Sequence, residues 1–335
     1  MKTRRSTVAL ISIAACVLVL FFFLWPRGAG KKDEGPVEKI TVGVASIDAS
    51  ALFYIAYDRG FFKEQGLDVK VVEYTAGVLA ADDLLQDNLD VVTASEFAVV
   101  SKFPLHPEVR ILASIARSDN HEVIARKDRG ITEPAQLKGK RIAVTRHSSG
   151  DFFLGAFLTQ YGIPTTGVTF VDLPPPGILD ALSSGAVDAA MAWEPTVGKV
   201  KERLGSNAVY WPGQSGRGYY FVLMTRDDFI KKRPRAVERL LKALIEAEEY
   251  VSAHTPEAQT FMAERLGYDR ILMQSLWSRS DFRVRLDQDL LILMEDETRW
   301  SLRRTHLKKD MPNYLNVIHW DSLKNIRPEA VSVIH

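Results

Sequence analysis

The stretch Leu84-Leu-Gln-Asp-Asn-Leu-Asp90-Val-Val-Thr-Ala94-Ser-Glu96 has a counterpart 98 positions later, Leu182-Ser-Ser-Gly-Ala-Val-Asp188-Ala-Ala-Met-Ala192-Trp-Glu194. In each, a helical pattern closes, an aspartate opens a short apolar strand, and the strand delivers a glutamate into a loop. One such match arises easily by chance. Four in register, at Leu84/Leu182, Asp90/Asp188, Ala94/Ala192 and Glu96/Glu194, point to a duplicated supersecondary unit and so to two similar α/β lobes.

The flanking sequence repeats the same element order. The first copy predicts a strand over 40–45, a helix over 51–65 ended by Gly66, a strand over 69–74, a helix over 79–86 and a strand over 91–94. The second predicts a strand over 141–145, a helix over 152–161 ended by Gly162, a strand over 168–171, a helix over 178–183 and a strand over 187–192. β-Branched runs alternating with helical patterns are the mark of βαβ units around parallel sheets. Strands over 121–127 and 219–226 are expected to carry the chain into and out of the second lobe. This divides the body into a first lobe of 37–124 with 222–335 and a second lobe of 125–221, preceded by a segment 1–36. Two crossings let rigid lobes open and close about a hinge. Amphipathic helices over 235–253 and 286–302 are expected to cover the first lobe.

Ligands of open α/β sheets sit beyond the carboxyl ends of strands, where loops enter helices. Four such loops should ring one cleft. Ser46, Asp48 and Ser50 belong to the first, and Arg146, His147, Ser148 and Ser149 to its counterpart. Helix N-termini there favour an anion, and Arg146 adds charge if it points inward. Ser50 and Ser149 equally suit plain helix caps. The other two loops carry Ser95 and Glu96, and Trp193 and Glu194, with Thr75 as a further candidate. Trp193 can stack on a ligand or pack in a core. Each glutamate can hold an amine or ring N–H, or else cap the next helix.

The N-terminus reads as an address. Lys2, Arg4 and Arg5 precede an uncharged stretch bounded by Val8 and Trp25. Its eighteen residues rise roughly 27 Å as a helix, enough to cross a hydrocarbon core. An uncleaved transmembrane anchor is expected, with a lipoprotein signal at Cys16 and a cleaved signal as alternatives. The body is expected in the periplasm or on the outer face of the cytoplasmic membrane; a cytoplasmic signal from a reporter fused after Gly35 would contradict this.

Composition excludes several classes. With 46% hydrophobic and 25% charged residues the chain is a folded globular protein. Cys16, the single cysteine, leaves no disulfide framework and no cysteine-based zinc site. Residues 1–36 carry a net +4 and the rest −3, so there is no basic body for nucleic acid. The seven histidines show no metal spacing, and Gly213-Gln-Ser-Gly-Arg217 misses the nucleophile elbow because Arg217 replaces its last glycine. No metal, cofactor or catalytic residue is expected.

Ala51-Leu-Phe-Tyr-Ile-Ala-Tyr-Asp-Arg-Gly-Phe-Phe-Lys-Glu-Gln-Gly-Leu-Asp-Val-Lys-Val-Val-Glu-Tyr74 resembles the hallmark segment of nitrate/sulfonate/taurine-type ABC-transporter substrate-binding proteins, a family that also includes pyrimidine-precursor binders related to thiamine-pyrimidine synthases. Leu137-Lys-Gly-Lys-Arg-Ile-Ala-Val144, Ala192-Trp-Glu-Pro195 and Pro328-Glu-Ala-Val331 fit the same family. The resemblance implies a two-lobed type II periplasmic-binding-protein fold with hinge strands. It also implies a small-molecule ligand, a membrane ABC permease as partner, no enzymatic activity, and binding loops at the residues named above. A monomer is expected. The ligand classes implied are sulfonate, taurine, nitrate or a pyrimidine-like heterocycle. The alternatives are an enzyme of the same fold, of thiamine-pyrimidine-synthase or desulfinase type, and a membrane-tethered sensory receptor.

Overall fold

Apolar, β-branched runs separated by turns form eleven strands among the described residues, 35–305 and 310–334, of a computed structural model. The span bounded by Val8 and Trp25, with Cys16, lies outside those residues. In chain order the strands are β1 (Glu38–Ala45), β2 (Leu67–Tyr74), β3 (Val91–Ser95), β4 (Val109–Ser118), β5 (Glu122–Arg126) and β6 (Arg141–Val144). They continue with β7 (Thr169–Asp172), β8 (Ala189–Ala192), β9 (Ala208–Pro212), β10 (Tyr219–Arg226) and β11 (Ser280–Asp281). Among the described residues no helix is long and apolar enough to cross a membrane.

Two sheets result, ordered β11-β4-β10-β3-β1-β2 and β7-β6-β8-β5-β9. The duplication is visible in their pairing. β1 runs parallel to β2 and β3, as β6 does to β7 and β8. In each sheet the next strand is antiparallel and comes from the far side of a crossing: β10 beside β3, and β5 beside β8. The chain therefore passes between sheets twice, after β4 and after β9, and each sheet is completed by a strand adjoining the other.

The repeated aspartate has a structural cause. Asp90 donates its N–H to the Thr41 carbonyl at 2.9 Å and accepts the Thr41 N–H on Oδ2 at 2.7 Å. Asp188 makes the same two bonds with Arg141, both at 2.9 Å. Each side chain extends the ladder by one rung at the strand's start and so sets its register. Asp90→Ala should cost about 1–2 kcal/mol, because the half-buried Thr41 N–H loses its charged acceptor, and Asp188→Ala less, because Arg141 is exposed. Urea unfolding of the two variants checks this; unchanged midpoints in both would refute it.

The helix expected over 51–65 is two helices, Ala51–Asp58 and Phe61–Glu64, broken at Gly60. Gly60 has φ +82°, a left-handed conformation open to glycine and costly for other residues. The amphipathic helix Pro234–Ala253 packs on this pair through buried Leu240, Leu241 and Leu244.

The helix Gln288–Thr305 differs from expectation, because it covers more than the first sheet's side. It packs on Glu96–Lys102 and also on Ser149–Gln160, the helix that follows β6. Trp300 meets Phe97 and Phe152 at ring-centroid distances of 5.9 and 5.6 Å. Arg304 reaches Asp151 at 2.9 Å. The approach is possible because residue 155 is glycine; a Cβ there would stand 2.5 Å from the Trp300 ring.

Candidate functional site

The loops after β1, β3, β6 and β8 and the two crossings converge. The crossings are tied together by Gln214. Its Oε1 accepts the backbone N–H groups of Asn120 and His121 and faces His121 Nδ1, all at 2.8 Å. Its Nε2 donates to the carbonyls of Ser118 (3.2 Å) and Arg217 (2.7 Å), which settles the orientation of the amide. An amide oxygen only accepts, so the Nδ1 of His121 carries the imidazole proton.

Two of the loops expected to meet a ligand join this junction. From the first, the Asp48 carboxylate accepts from Asn120 Nδ2 at 3.1 and 3.2 Å. From the second, Ser149 Oγ lies 3.0 Å from His121 Nε2. A continuous chain of hydrogen bonds thus runs Asp48–Asn120–Gln214–His121–Ser149. Every member is buried. Burial pushes the His121 imidazole down to about 4 and the Asp48 carboxyl up to about 6. His121 is therefore neutral at physiological pH, and packs between Trp193 (5.3 Å between ring centroids) and Tyr219 (4.9 Å).

A cavity of about 20 Å³ lies at this junction. Ser95, Ser148, Ser149, His121, Trp193 and Tyr219 supply its polar lining, and the rest of the wall is apolar. Among the described residues no lysine or arginine lines it, and no group of three or more His, Cys, Asp or Glu is placed to hold a metal ion. The space holds about one water molecule.

The sequence candidates divide accordingly. Ser95, Ser148, Ser149 and Trp193 are brought together on the cavity wall, and Asp48 belongs to its supporting network. Ser50 lies beneath, donating to the Ala45 carbonyl at 2.7 Å. Neither it nor Ser148, the residue before the helix at Ser149, caps a helix through its side chain. Ser46 is off the cavity wall, half-buried between Glu73 Oε2 and the Tyr54 hydroxyl, each 3.3 Å away. Thr75 is exposed and off the cavity wall.

The charged candidates serve the fold. Glu194 Oε2 accepts the Gly198 N–H at 2.9 Å and so closes the start of the next helix. Glu96 is fully buried and accepts the Tyr220 N–H at 3.0 Å. Arg146 turns to Asp151 (3.2 Å) and lies over the Phe170 ring. His147 is exposed at φ +62°, its N–H directed to Asp151 Oδ2 at 3.3 Å. Asn120, His121, Gln214 and Tyr219 were absent from the sequence candidates. They lie in or beside the crossings, where no spacing marks them.

The family model described as NMT1/THI5 like matches residues 48–258. The taurine-binding periplasmic protein of Escherichia coli is 33% identical over 201 residues, 57% of this chain and 60% of that protein. The nitrate/nitrite binding protein NrtA of Synechococcus elongatus is 25% identical over 258 residues, 67% of this chain and 57% of the other. Among solved structures, the alkanesulfonate-binding protein SsuA of Xanthomonas axonopodis pv. citri, bound to MOPS, superposes with a TM-score of 0.72 at 15% identity, covering 85% of this chain and 99% of that one. That likeness shows the α/β fold of periplasmic binding proteins, with its two sheets.

Proposed function

Since the chain belongs to the NMT1/THI5-like family, we propose that it is the substrate-binding component of an ABC importer, taking a small organic anion of the sulfonate, taurine or nitrate class, or a pyrimidine-like heterocycle. The relatives above are named as binding proteins, and the chain is a binding protein and not an enzyme. A desulfinase-type thiol has no candidate here, because Cys16 is the sole cysteine and lies in the apolar N-terminal stretch.

The observation that carries the reading is the cavity itself. Loops from both sheets and both crossings enclose it, yet its volume of about 20 Å³ admits no solute of these classes. A ligand must enter by separation of the two halves and be retained when they close. The halves are the lobes 37–124 with 222–335 and 125–221, and the crossings at Asn120 and Gln214 are the hinge. Closure then follows differential affinity, since only the closed state offers the ligand both sets of loops. The body works outside the cytoplasm, as a monomer held by the N-terminal segment, and passes its ligand to a membrane permease.

A thermal-shift screen of the chain against sulfonates, taurine, nitrate and pyrimidines tests this. A true ligand at 100-fold its Kd should stabilise by about 2.7 kcal/mol. Trp193→Ala should weaken that ligand about ten-fold or more, because it removes a large aromatic wall. A hit whose affinity is the same in Trp193→Ala would remove the site from this cavity, and no hit in any class would reject the proposed ligands.

A further inference from the structure

The polar groups at the cavity can be followed proton by proton. Gln214 Oε1 takes the Nδ1 proton of His121, so the Nε2 of His121 is a bare lone pair. Ser149 Oγ, 3.0 Å away, meets that lone pair and has to donate to it. Ser148 Oγ stands 2.7 Å from the Thr145 carbonyl, another group that only accepts, and it too has to donate. Each hydroxyl has one proton, and in both serines it is committed to the protein. From these two hydroxyls only oxygen lone pairs remain for a solute.

We infer that Ser148 and Ser149 act toward the ligand purely as hydrogen-bond acceptors, and that the site selects a solute bringing an N–H donor, an ammonium or a heterocyclic N–H, to that end. His121 and Gln214 are the positioning residues that impose this polarity on Ser149. The surroundings agree. No cationic side chain among the described residues lines the cavity, and the buried carboxylate of Asp48 is two hydrogen bonds from Gln214. A solute with no N–H would face two sets of oxygen lone pairs and leave them unpaired in a dry space, where the loss is large. Ser95 and Trp193 line the same cavity, and the Ser95 hydroxyl is a donor for an acceptor group at the solute's other end.

The inference rests on the solute-binding reading, and two measurements separate their fates. The first is calorimetric titration of the full chain with pairs matched in size, 2-aminoethanesulfonate against propane-1-sulfonate and 4-aminopyrimidine against 4-methylpyrimidine. The N–H-bearing member of a binding pair should be tighter by about ten-fold or more, and Ser149→Ala should bring that ratio toward one. Equal or tighter binding of the N–H-free member would overturn the inference and leave the importer reading standing. If no probe binds, the ligand classes proposed above fail. The second measurement then decides the inference without any ligand: nitrogen-15 spectra of the histidine-labelled chain, with the His121 signal assigned from its loss in His121→Gln. A neutral His121 with its proton on Nδ1 supports the inference, and a proton on Nε2 overturns it, because Ser149 would then be free to donate.

Discussion

Gly155→Val should lower the melting temperature of the chain by roughly 5–10 °C and weaken ligand binding about ten-fold or more. The expectation rests on the bridge made by the helix Gln288–Thr305. Trp300 lies so close to residue 155 that even a Cβ would sit 2.5 Å from its ring. The indole is rigid and wedged against Phe97 and Phe152, so it has little room to give way. Overpacking of this kind costs about 1–3 kcal/mol, and sometimes more. Because the contact joins a helix anchored on the first sheet to the helix that opens with Ser149, the displacement reaches the cavity wall. Trp300→Ala, which removes the clashing ring, should cost less in the Gly155→Val background than in the parent. Thermal unfolding and ligand titration of the single and double variants provide the check. A Gly155→Val chain with parental melting temperature would show that the two helices do not bear on one another.

Glu297→Gln should abolish about half of the stability loss that the chain suffers as pH rises. Glu96 and Glu297 are both fully buried and adjacent. Among the described residues, Glu96 Oε1 and both oxygens of Glu297 have no other hydrogen-bond partner. Burial holds both carboxyls well above the ordinary value of 4.5; the charge and hydrogen bond of Glu96 push Glu297 up further, while the Glu297 hydrogen bond draws Glu96 down. The folded chain therefore keeps protons that the unfolded chain releases above about pH 4.5. Stability from this pair is complete below that pH and declines above it, by about 1.4 kcal/mol per pH unit for each group that stays protonated. Glutamine at 297 keeps a donor facing Glu96 and takes up no proton. The variant should gain on the order of 2–4 kcal/mol over the parent at pH 8, and little at pH 5. Urea unfolding at pH 5, 6.5 and 8 measures this, and parallel pH profiles for parent and variant would refute it.

These two sites also mark the edge of what a sequence reading can reach. The register-setting aspartates, the strands they open and the second-lobe helix were legible because repetition and periodicity are local signals. The break at Gly60 was not, since Gly60 sits inside an otherwise helical pattern and only its φ of +82° ends the run. The convergence of four loops was legible from their place after strands. Yet of the candidates they hold, Arg146, His147, Glu96 and Glu194 are turned to helix starts, strand edges and buried carboxyls.

The chain's residues alone determined a duplicated α/β body, its two parallel cores and the loops beyond the strand ends, because these follow from short-range alternation of apolar and polar side chains. Tertiary structure decided which hydroxyls give protons and which take them. Gln214 lies 93 positions from His121, and His121 lies 28 from Ser149. Hydrogen-bond polarity is passed along a chain of partners, so no residue type or spacing near Ser149 carries it.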